Sequence, residues 1–347
     1  MIRVFVLIAC LTMFLQVTNL YSQVDMDKIK GGFKSCTVYK YEPKGGKINP
    51  DSKFIRMFYR YDKNGNQIEE TRYRKSDSVE YSVFSKYDDY GNHIEEIKYR
   101  RRDSIEYKAF SKFDDNGNCI ENSWDYPDDT IKPGFTSKYN EKGKITEFYA
   151  KSGNRSRLMT AYKYDQRGNK IEDIWYDSNG VAVNKSVYLY DEKGNCIENT
   201  DLDSDSLVTS KDYYKYDAMG DTIEWSHGEY DYIDGRNTYK YDENRQKIEE
   251  VSYDISGTIN YKNTFKYDAR GNRIEISNYG SDSTSHFRIT YKYDDNRNLI
   301  EKAEYNYEGK LVEKYIYDYD RFGNCIEENW FNSKDKPTRR YEYVFER

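Results

Sequence analysis

The chain has 347 residues, of which 39 are Tyr, 61 are Asp or Glu and 55 are Lys or Arg. Hydrophobic residues make up 37% of the chain and many of them are tyrosines, which excludes a large aliphatic core. The formal net charge is only −6, and the balanced charges provide no concentrated basic face, so no nucleic-acid partner is expected.

Residues 1–22 have the pattern of a secretory signal peptide. Arg3 gives a positive start, Val4–Leu15 is an apolar run, and the following residues turn polar. The run is too short to span a bilayer as an anchor, so we expect cleavage after Ser22 and a secreted or cell-envelope protein. A less favoured alternative is a lipoprotein with lipidated Cys10. No second apolar run occurs, so no transmembrane segment is expected in the mature chain.

Residues 23–53 are interpreted as an N-terminal lead-in and cap, and residues 54–347 as a repeat domain of eleven copies with a final capping strand. Each copy is marked by a Tyr-Asp pair or a near variant, and successive pairs are 25 or 26 residues apart. So regular a spacing indicates one structural unit per copy, stacked on its neighbours. We call the first residue of each pair the anchor; the anchors are Tyr61, Tyr87, Phe113, Tyr139, Tyr164, Tyr190, Tyr216, Tyr241, Tyr267, Tyr293 and Tyr319.

Three further positions recur in the copies. Nine copies have Gly four residues after the anchor, and the other two have Arg245 and Arg297, each preceded by Asn. This pattern predicts a left-handed turn position. An Ile follows in every copy, with Glu directly after it in ten, and nine copies have Lys or Arg immediately before the anchor.

The repeat predicts an all-β fold. Each copy has a Tyr-x-Tyr-Asp stretch, a tight Asx/Gly turn and an Ile-Glu stretch, which together are typical of a β-hairpin. Turn residues every dozen or so positions leave no room for helices of ordinary length. We therefore expect tandem β-hairpin repeats that form a long antiparallel meander, as a twisted or coiled ribbon.

The register of each hairpin stays open between two alternatives. A three-residue loop with Gly last would place Tyr61 opposite Gln67. A four-residue loop would instead pair Tyr61 with Ile68 and Arg60 with Glu69, giving an apolar stripe on one face and a salt-bridge ladder on the other. Because a slip of one residue exchanges the faces, the sequence does not decide which face is packed.

The Tyr-Asp-x-x-Gly-Asn core, as in Tyr61–Asn66 and Tyr190–Asn195, resembles the YD repeat of RHS-type bacterial proteins. The resemblance covers nearly the whole mature chain. It implies β-sheet ribbons that coil; in the large toxins of that family the coil closes into a hollow shell around a toxic domain. This chain is short and ends soon after the Tyr341–Tyr343 strand, so we expect a free-standing envelope or secreted repeat protein.

Several chemical signals favour structural interpretations. Cys119, Cys196 and Cys325 occupy one column three and five copies apart, too far for disulfides in an uncoiled ribbon, so free thiols are expected; the state of Cys36 stays open. The three histidines, His93, His227 and His286, fall in different columns and predict no catalytic cluster. The Asp-x-Asn-Gly-Asn turns fail the EF-hand spacing. We therefore expect no enzyme activity, no metal and no cofactor.

An aromatic column is the strongest binding signal. It lies four residues after the Ile and consists of Trp124, Tyr149, Trp175 and, near the end, Trp330. Aligned rings roughly 10 Å apart could form a ligand platform for sugar rings, but a packed stripe with the Ile column is the more favoured interpretation, since the two columns share a strand face. Exposure of Trp124 and Trp175 distinguishes the two.

These observations predict an exported, non-catalytic repeat protein that presents an extended binding surface to a glycan or protein partner at the bacterial surface. The alternative is a purely structural element of the cell envelope, or a partial shell, without a specific small ligand. An open ribbon would also have two free edge strands, so self-association through them is possible in either case.

Overall fold

The computed structural model describes residues 31–101, 104–128, 132–229, 232–281 and 285–347. The proposed signal peptide, its cleavage site and Cys10 lie outside these residues. Within these residues the fold is all-β, with strands joined by turns and one 3-10 turn at Pro50–Ser52. The strands are β1 (Ser35–Tyr41), β2 (Pro43–Lys44), β3 (Lys47–Ile48), β4 (Phe54–Tyr61), β5 (Gln67–Tyr73), β6 (Val79–Tyr87), β7 (His93–Arg100), β8 (Ser104–Phe113), β9 (Cys119–Asp125), β10 (Pro133–Tyr139), β11 (Ile145–Ser152), β12 (Arg155–Tyr164), β13 (Lys170–Tyr176), β14 (Ala182–Tyr190), β15 (Cys196–Asp203), β16 (Val208–Tyr216), β17 (Thr222–Glu229), β18 (Tyr232–Tyr241), β19 (Lys247–Asp254), β20 (Ile259–Tyr267), β21 (Arg273–Gly280), β22 (Ser285–Tyr293), β23 (Leu299–Asn306), β24 (Leu311–Tyr319), β25 (Cys325–Asn332) and β26 (Pro337–Glu346).

The predicted antiparallel meander is confirmed, but it closes on itself. Strands β4 to β26 pair in chain order, and β1 pairs with both β26 and β4, which gives one closed 24-stranded sheet. The expectation of a twisted or coiled ribbon was therefore wrong: the sheet is a barrel. The physical reason is β1, a strand within the predicted lead-in, which satisfies the backbone groups of both meander edges at once. Closure removes the free edges on which the expected self-association depended.

Each copy turns in the same way at the residue after its anchor, which is Asp in ten copies and Asn140 in the copy of Tyr139. In the copy of Tyr190, the Asp191 carboxylate accepts hydrogen bonds from the backbone N–H (2.8 Å) and the side-chain amide (2.9 Å) of Asn195. Both hydrogen bonds lower the pKa of Asp191, and the bond from the side-chain amide has the larger effect. Gly194 has φ +90°, and Arg245 and Arg297 have φ +64° and +67°, so the predicted left-handed position is confirmed, including at its two arginine exceptions.

A β-bulge resolves the two registers left open by the sequence. Tyr61 lies opposite Gln67, as the three-residue turn requires, and Arg60 lies opposite Glu69, as charge matching requires. Ile68 is the extra residue between the two pairs. In every copy except that of Ile145, the Ile is therefore the bulge residue and not part of a core, and Ile197 and Ile223 are each 38% exposed.

The bulge defines two faces of the sheet. The lysine face carries the Lys or Arg before each anchor and the Glu opposite it; the tyrosine face carries the anchors, because side chains alternate along a strand. On the lysine face, the eight pairs of a basic residue before the anchor with the Glu after the Ile all form, and Lys138 pairs with Glu147 in the copy of Tyr139; the N···O distances are 2.5–2.9 Å. The Glu often contacts a second Lys on the following strand, as Glu249 does with Lys240 (2.7 Å) and Lys262 (2.6 Å). The salt-bridge ladder, which belonged to one of the two registers that the sequence left open, is thus present.

The anchor tyrosine joins each copy to the one before it. Its hydroxyl donates a hydrogen bond to the backbone carbonyl next to the preceding bulge, as from Tyr190 to Lys170 (2.7 Å). The same bond, at 2.6–3.1 Å, is made by Tyr87, Tyr139, Tyr164, Tyr216, Tyr241, Tyr267, Tyr293 and Tyr319. Phe113 has no hydroxyl and cannot make it. The hydroxyl thereby supplies a hydrogen-bond donor to a backbone carbonyl that lies beyond the last paired residues of the two strands.

The most deeply buried part of the molecule is where the sheet closes. We call this region the seam; its buried side chains are Cys36, Val38, Tyr61, Tyr317, Cys325, Tyr341 and Tyr343. Glu328 lies among them at 0% exposure and accepts hydrogen bonds from Trp330 Nε1 (2.8 Å) and the Tyr343 hydroxyl (3.1 Å). Burial raises the pKa of this carboxyl to about 7.

All four cysteines in the described ranges, Cys36, Cys119, Cys196 and Cys325, are free thiols, as expected for the three in the repeat column. Cys36, whose state the sequence left open, is buried in the seam, and burial raises the pKa of its thiol to about 12. Such a thiol is protonated at neutral pH and packs as a small apolar group.

Candidate functional site on the tyrosine face

A column of aromatic rings runs across the tyrosine face, two residues before the anchors. Seven consecutive copies contribute a ring: Tyr162, Tyr188, Tyr214, Tyr239, Phe265, Tyr291 and Tyr317. All are half-buried except Tyr317, which is 2% exposed in the seam. Because these rings lie on alternate strands, they repeat about every 10 Å perpendicular to the strands. We call this set the ring column.

Charged side chains lie between the rings. Lys170 Nζ is 4.3 Å from the centroid of the Tyr188 ring and 2.5 Å from a carboxylate oxygen of Asp173. The Tyr188 hydroxyl donates to the same carboxylate at 3.0 Å. Lys247 is placed similarly, 5.3 Å from the centroid of Tyr239 and 5.2 Å from that of Phe265. The column therefore alternates flat apolar area with fixed hydrogen-bonding groups.

The structure separates the four platform residues predicted from the sequence. Trp124, Trp175 and Trp330 lie on the tyrosine face and are half-buried. A ligand platform predicts exposed rings and a packed stripe predicts buried rings, so this intermediate exposure does not distinguish the two. Trp175 Nε1 donates to Asp173 at 3.3 Å, beside the ring column. Trp330 donates to Glu328 and belongs to the seam.

Tyr149 lies on the opposite, lysine face. Its hydroxyl donates to Glu147 at 2.7 Å, the partner of Lys138 in the salt-bridge ladder. This copy has one residue fewer between its Gly and its Ile, so the bulge falls at Thr146 instead of at the Ile. Because side chains alternate between the two faces, the fourth residue after the Ile then lies on the opposite face.

Two phenylalanines that the sequence reasoning missed extend the tyrosine face beside Trp124. The Phe135 ring packs edge-on against Trp124, with centroids 5.8 Å apart, and stacks on Phe148 at 5.1 Å. The three residues lie on the neighbouring strands β9, β10 and β11. Counted from the anchor instead of from the Ile, the position of Trp124 corresponds to Ala150, and Phe148 lies two residues earlier on the same face.

A hollow with mixed lining lies on the tyrosine face at β16–β19, with a volume of about 470 Å³. Its lining includes Tyr214, Trp225, Tyr239, Asp212 and Lys247. Tyr214 and Trp225 are directly opposite each other on β16 and β17. Trp225 was missed because it stands two residues after its Ile and not four. We call this the Trp225 hollow.

Asp212 is held in place by donors on three sides. Its Oδ1 accepts from Trp225 Nε1 at 3.0 Å and lies 2.9 Å from His227 Nδ1, and its Oδ2 accepts from the Asn199 amide at 3.4 Å. Burial, followed by the negative charge of Asp212, raises the pKa of Tyr214 to about 12, so Tyr214 stays a neutral hydroxyl. The hollow thus presents a fixed carboxylate beside aromatic rings.

Within the described ranges, His, Cys, Asp and Glu side chains do not gather in groups of three that could hold a metal ion. His93 and His227, in different copies, stay apart, and His227 contacts Asp212 as described above. The same part of the chain contains no helix with the length and apolar character needed to cross a membrane.

The sequence matches no protein-family model and no curated protein. Among solved structures, the chain is similar to TcdB2-TccC3-Cdc42, an RHS/YD-repeat toxin complex, at 13% identity and a TM-score of 0.43. That similarity covers 86% of this chain and 18% of the other, so this chain corresponds to less than a fifth of it. A porin-like protein from Bacteroides uniformis ATCC 8492 is similar at 10% identity and a TM-score of 0.25, covering 92% of this chain and 99% of the other. Membership of the YD-repeat family stays a prediction.

Proposed function

We propose that this chain is an exported, non-catalytic YD-repeat-type protein whose tyrosine face binds a glycan. The observation that carries the proposal is the ring column, in which consecutive copies present one aromatic ring each at a regular spacing. A repeating surface suits a repeating ligand, because the same contact can be made in every copy.

The chemistry between the rings fits sugars. Sugar rings have flat apolar faces that pack on aromatic side chains and hydroxyls that need hydrogen-bond partners. Asp173, Asn199 and Asp212 lie between or beside the rings and supply carboxylate and amide groups on the same face. A protein partner could use the rings, but it would not require a spacing that repeats from copy to copy.

The test is binding of the purified chain to a glycan array, followed by titration of a bound oligosaccharide. We expect the fluorescence of the indoles beside the column, Trp175 and Trp225, to change on binding. Replacing Tyr188 and Tyr239 together by Ala should weaken binding by at least about tenfold, as the loss of about 1.4 kcal/mol of stacking implies.

The matched control is the double variant Phe84→Ala with Phe110→Ala, which removes two rings from the lysine face that are 36% and 38% exposed. This control should bind like the parent chain. An equal loss in both double variants, or no glycan bound by a folded parent chain, would disprove the proposal. Binding to proteins in the absence of any glycan would favour the protein partner instead.

Export is a separate part of the proposal, supported by the pattern of residues 1–22. Sequencing the N-terminus of the mature chain from the expressing bacterium tests it. A chain beginning at Gln23 supports cleavage after Ser22, and a lipidated Cys10 supports the lipoprotein alternative. A chain that keeps Met1 and stays inside the cell contradicts export.

The closed sheet favours one further candidate, a structural envelope element or shell without a specific small ligand. Closure pairs both edges of the meander within the chain, so the order of the sheet does not need a ligand. This candidate predicts that the ring-column variants bind and localise like the parent chain, so the same titrations distinguish the two.

A further inference from the structure

The Trp225 hollow differs from the rest of the ring column. Elsewhere the residues opposite the column rings are polar or aliphatic, as with Asp173 opposite Tyr162 and Ile276 opposite Phe265. At the hollow, Trp225 is opposite Tyr214, and Tyr239 follows on the next strand, so three neighbouring strands each present a ring.

The acidic and basic side chains at the Trp225 hollow are not equal in number. Lys247 is paired with Glu250 at 2.8 Å and is flanked by two rings, so its positive charge is already matched. Asp212 has no Lys or Arg partner among the described side chains; its contacts are the indole, the imidazole and the amide named above. Among Lys247, Glu250 and Asp212, the acidic groups outnumber the basic one, and Asp212 is the carboxylate without a Lys or Arg counter-charge in the described part of the chain.

From this geometry we infer that the Trp225 hollow is a subsite for one sugar ring of an uncharged polysaccharide and that it selects against polymers of uronic acids. The inference rests on the proposed glycan binding and deepens it. A sugar ring stacks on the indole while one of its hydroxyls donates to Asp212, whose orientation is fixed before the ligand arrives. A uronate carboxylate at the same place would meet the Asp212 carboxylate, and like charges in a partly buried site repel.

The experiment compares two probes of equal length, a neutral glucan oligosaccharide and an oligogalacturonate, by calorimetry or Trp fluorescence at fixed ionic strength. The parent chain should bind the neutral probe at least about tenfold more tightly than the acidic probe. Trp225→Ala should lower affinity for the neutral probe by at least about tenfold. Tyr149→Ala, which truncates an aromatic ring on the lysine face, serves as the control and should leave both affinities unchanged.

Asp212→Asn is the decisive variant, because it removes the charge and keeps an oxygen for the Trp225 indole. It should change binding of the neutral probe by less than about threefold while it strengthens binding of the acidic probe by about tenfold, so that the preference largely disappears. Far-UV circular dichroism and an unchanged unfolding midpoint establish that each variant folds.

The outcomes separate the two levels of the proposal. If neither probe nor any array glycan binds the folded parent chain, glycan binding itself is disproved. If glycans bind but Trp225→Ala has no effect, or if Asp212→Asn leaves the preference unchanged, the subsite assignment is wrong while glycan binding on the ring column stands.

Discussion

The seam and the repeat wall achieve order by different physical means. At the seam, apolar and aromatic side chains from β1, β4 and β24–β26 pack to near-complete burial around Glu328. In the wall from β12 to β22, buried side chains in the described ranges are isolated, such as Thr160, Ser226 and Val251. Order there comes from recurring ion pairs, Asx turns and tyrosine hydroxyl bonds.

This difference shows that a closed sheet of repeats does not need a continuous core. Each wall contact contributes little, since cross-strand pairs are worth about 0.2–1 kcal/mol, but it recurs in nearly every copy. The seam joins strands from opposite ends of the chain, so it has to offset the larger entropy of closing a long loop. A concentrated apolar cluster at that one place provides the required free energy.

The largest expected effect comes from two tyrosines that occupy equivalent positions in neighbouring copies. Tyr317→Ala should lower the free energy of unfolding by about 3–5 kcal/mol, because it empties a buried aromatic site in the seam. Tyr291→Ala, at a half-buried wall site, should cost only about 1–2 kcal/mol. Denaturant unfolding of both variants measures the difference, and equal losses would contradict the contrast between seam and wall.

The second effect is a pH dependence that originates in the seam. The pKa of Glu328 is raised from 4.5 to about 7 in the folded chain, so the folded state binds the proton more tightly than the unfolded state. Its contribution to stability is therefore fully present below about pH 4.5 and declines as the pH rises to about 7, by ~3 kcal/mol in all.

Glu328→Gln isolates that contribution, because the amide stays neutral and its oxygen can still accept from Trp330. The difference in unfolding free energy between parent and variant should change by ~3 kcal/mol between pH 4.5 and 7.5, with the variant relatively more stable at the higher pH. A difference that does not depend on pH over this range would rule out a buried, protonated Glu328.

A smaller effect tests the tyrosine bonds of the wall. Tyr190→Phe removes the hydroxyl that donates to the Lys170 carbonyl and should cost about 1 kcal/mol. The chain offers its own converse: Phe113→Tyr restores a hydroxyl where the repeat lacks one, and it should raise stability by up to about 1 kcal/mol. Loss of stability in both variants would mean that the hydroxyl bond does not stabilise the copies.

The smallest effect is expected on the lysine face. Lys86→Ala removes an ion pair to Glu95 whose Lys side chain is 67% exposed, so the cost should be about 0.2–1 kcal/mol and should shrink in high salt. The converse variant, Leu189→Lys, places a cation opposite Glu198 and should gain a similar amount. A cost as large as that of Tyr317→Ala would contradict the ranking of seam over wall.

Much of the local structure could be predicted from the sequence, because it follows from short-range chemistry. The hairpins and the left-handed position at Gly194 and Arg245 each depend on a few neighbouring residues, whereas the pairing of Arg60 with Glu69 belonged to one of two registers that the sequence left open. The candidate site was predicted only in part. Trp124 and Trp175 do lie on the tyrosine face. Tyr149 lies on the other face, because its copy has one residue fewer before Ile145. Trp225 stands outside the predicted aromatic column, two residues after its Ile instead of four.

The sequence by itself determined the repeat, its turns and the chemistry of each hairpin, because these require only contacts within a copy or between adjacent copies. The tertiary structure decided that the meander closes, that β1 completes it and that Glu328 and Cys36 are buried together. Those features depend on contacts between residues about 300 positions apart, for which the 26-residue periodicity contains no signal.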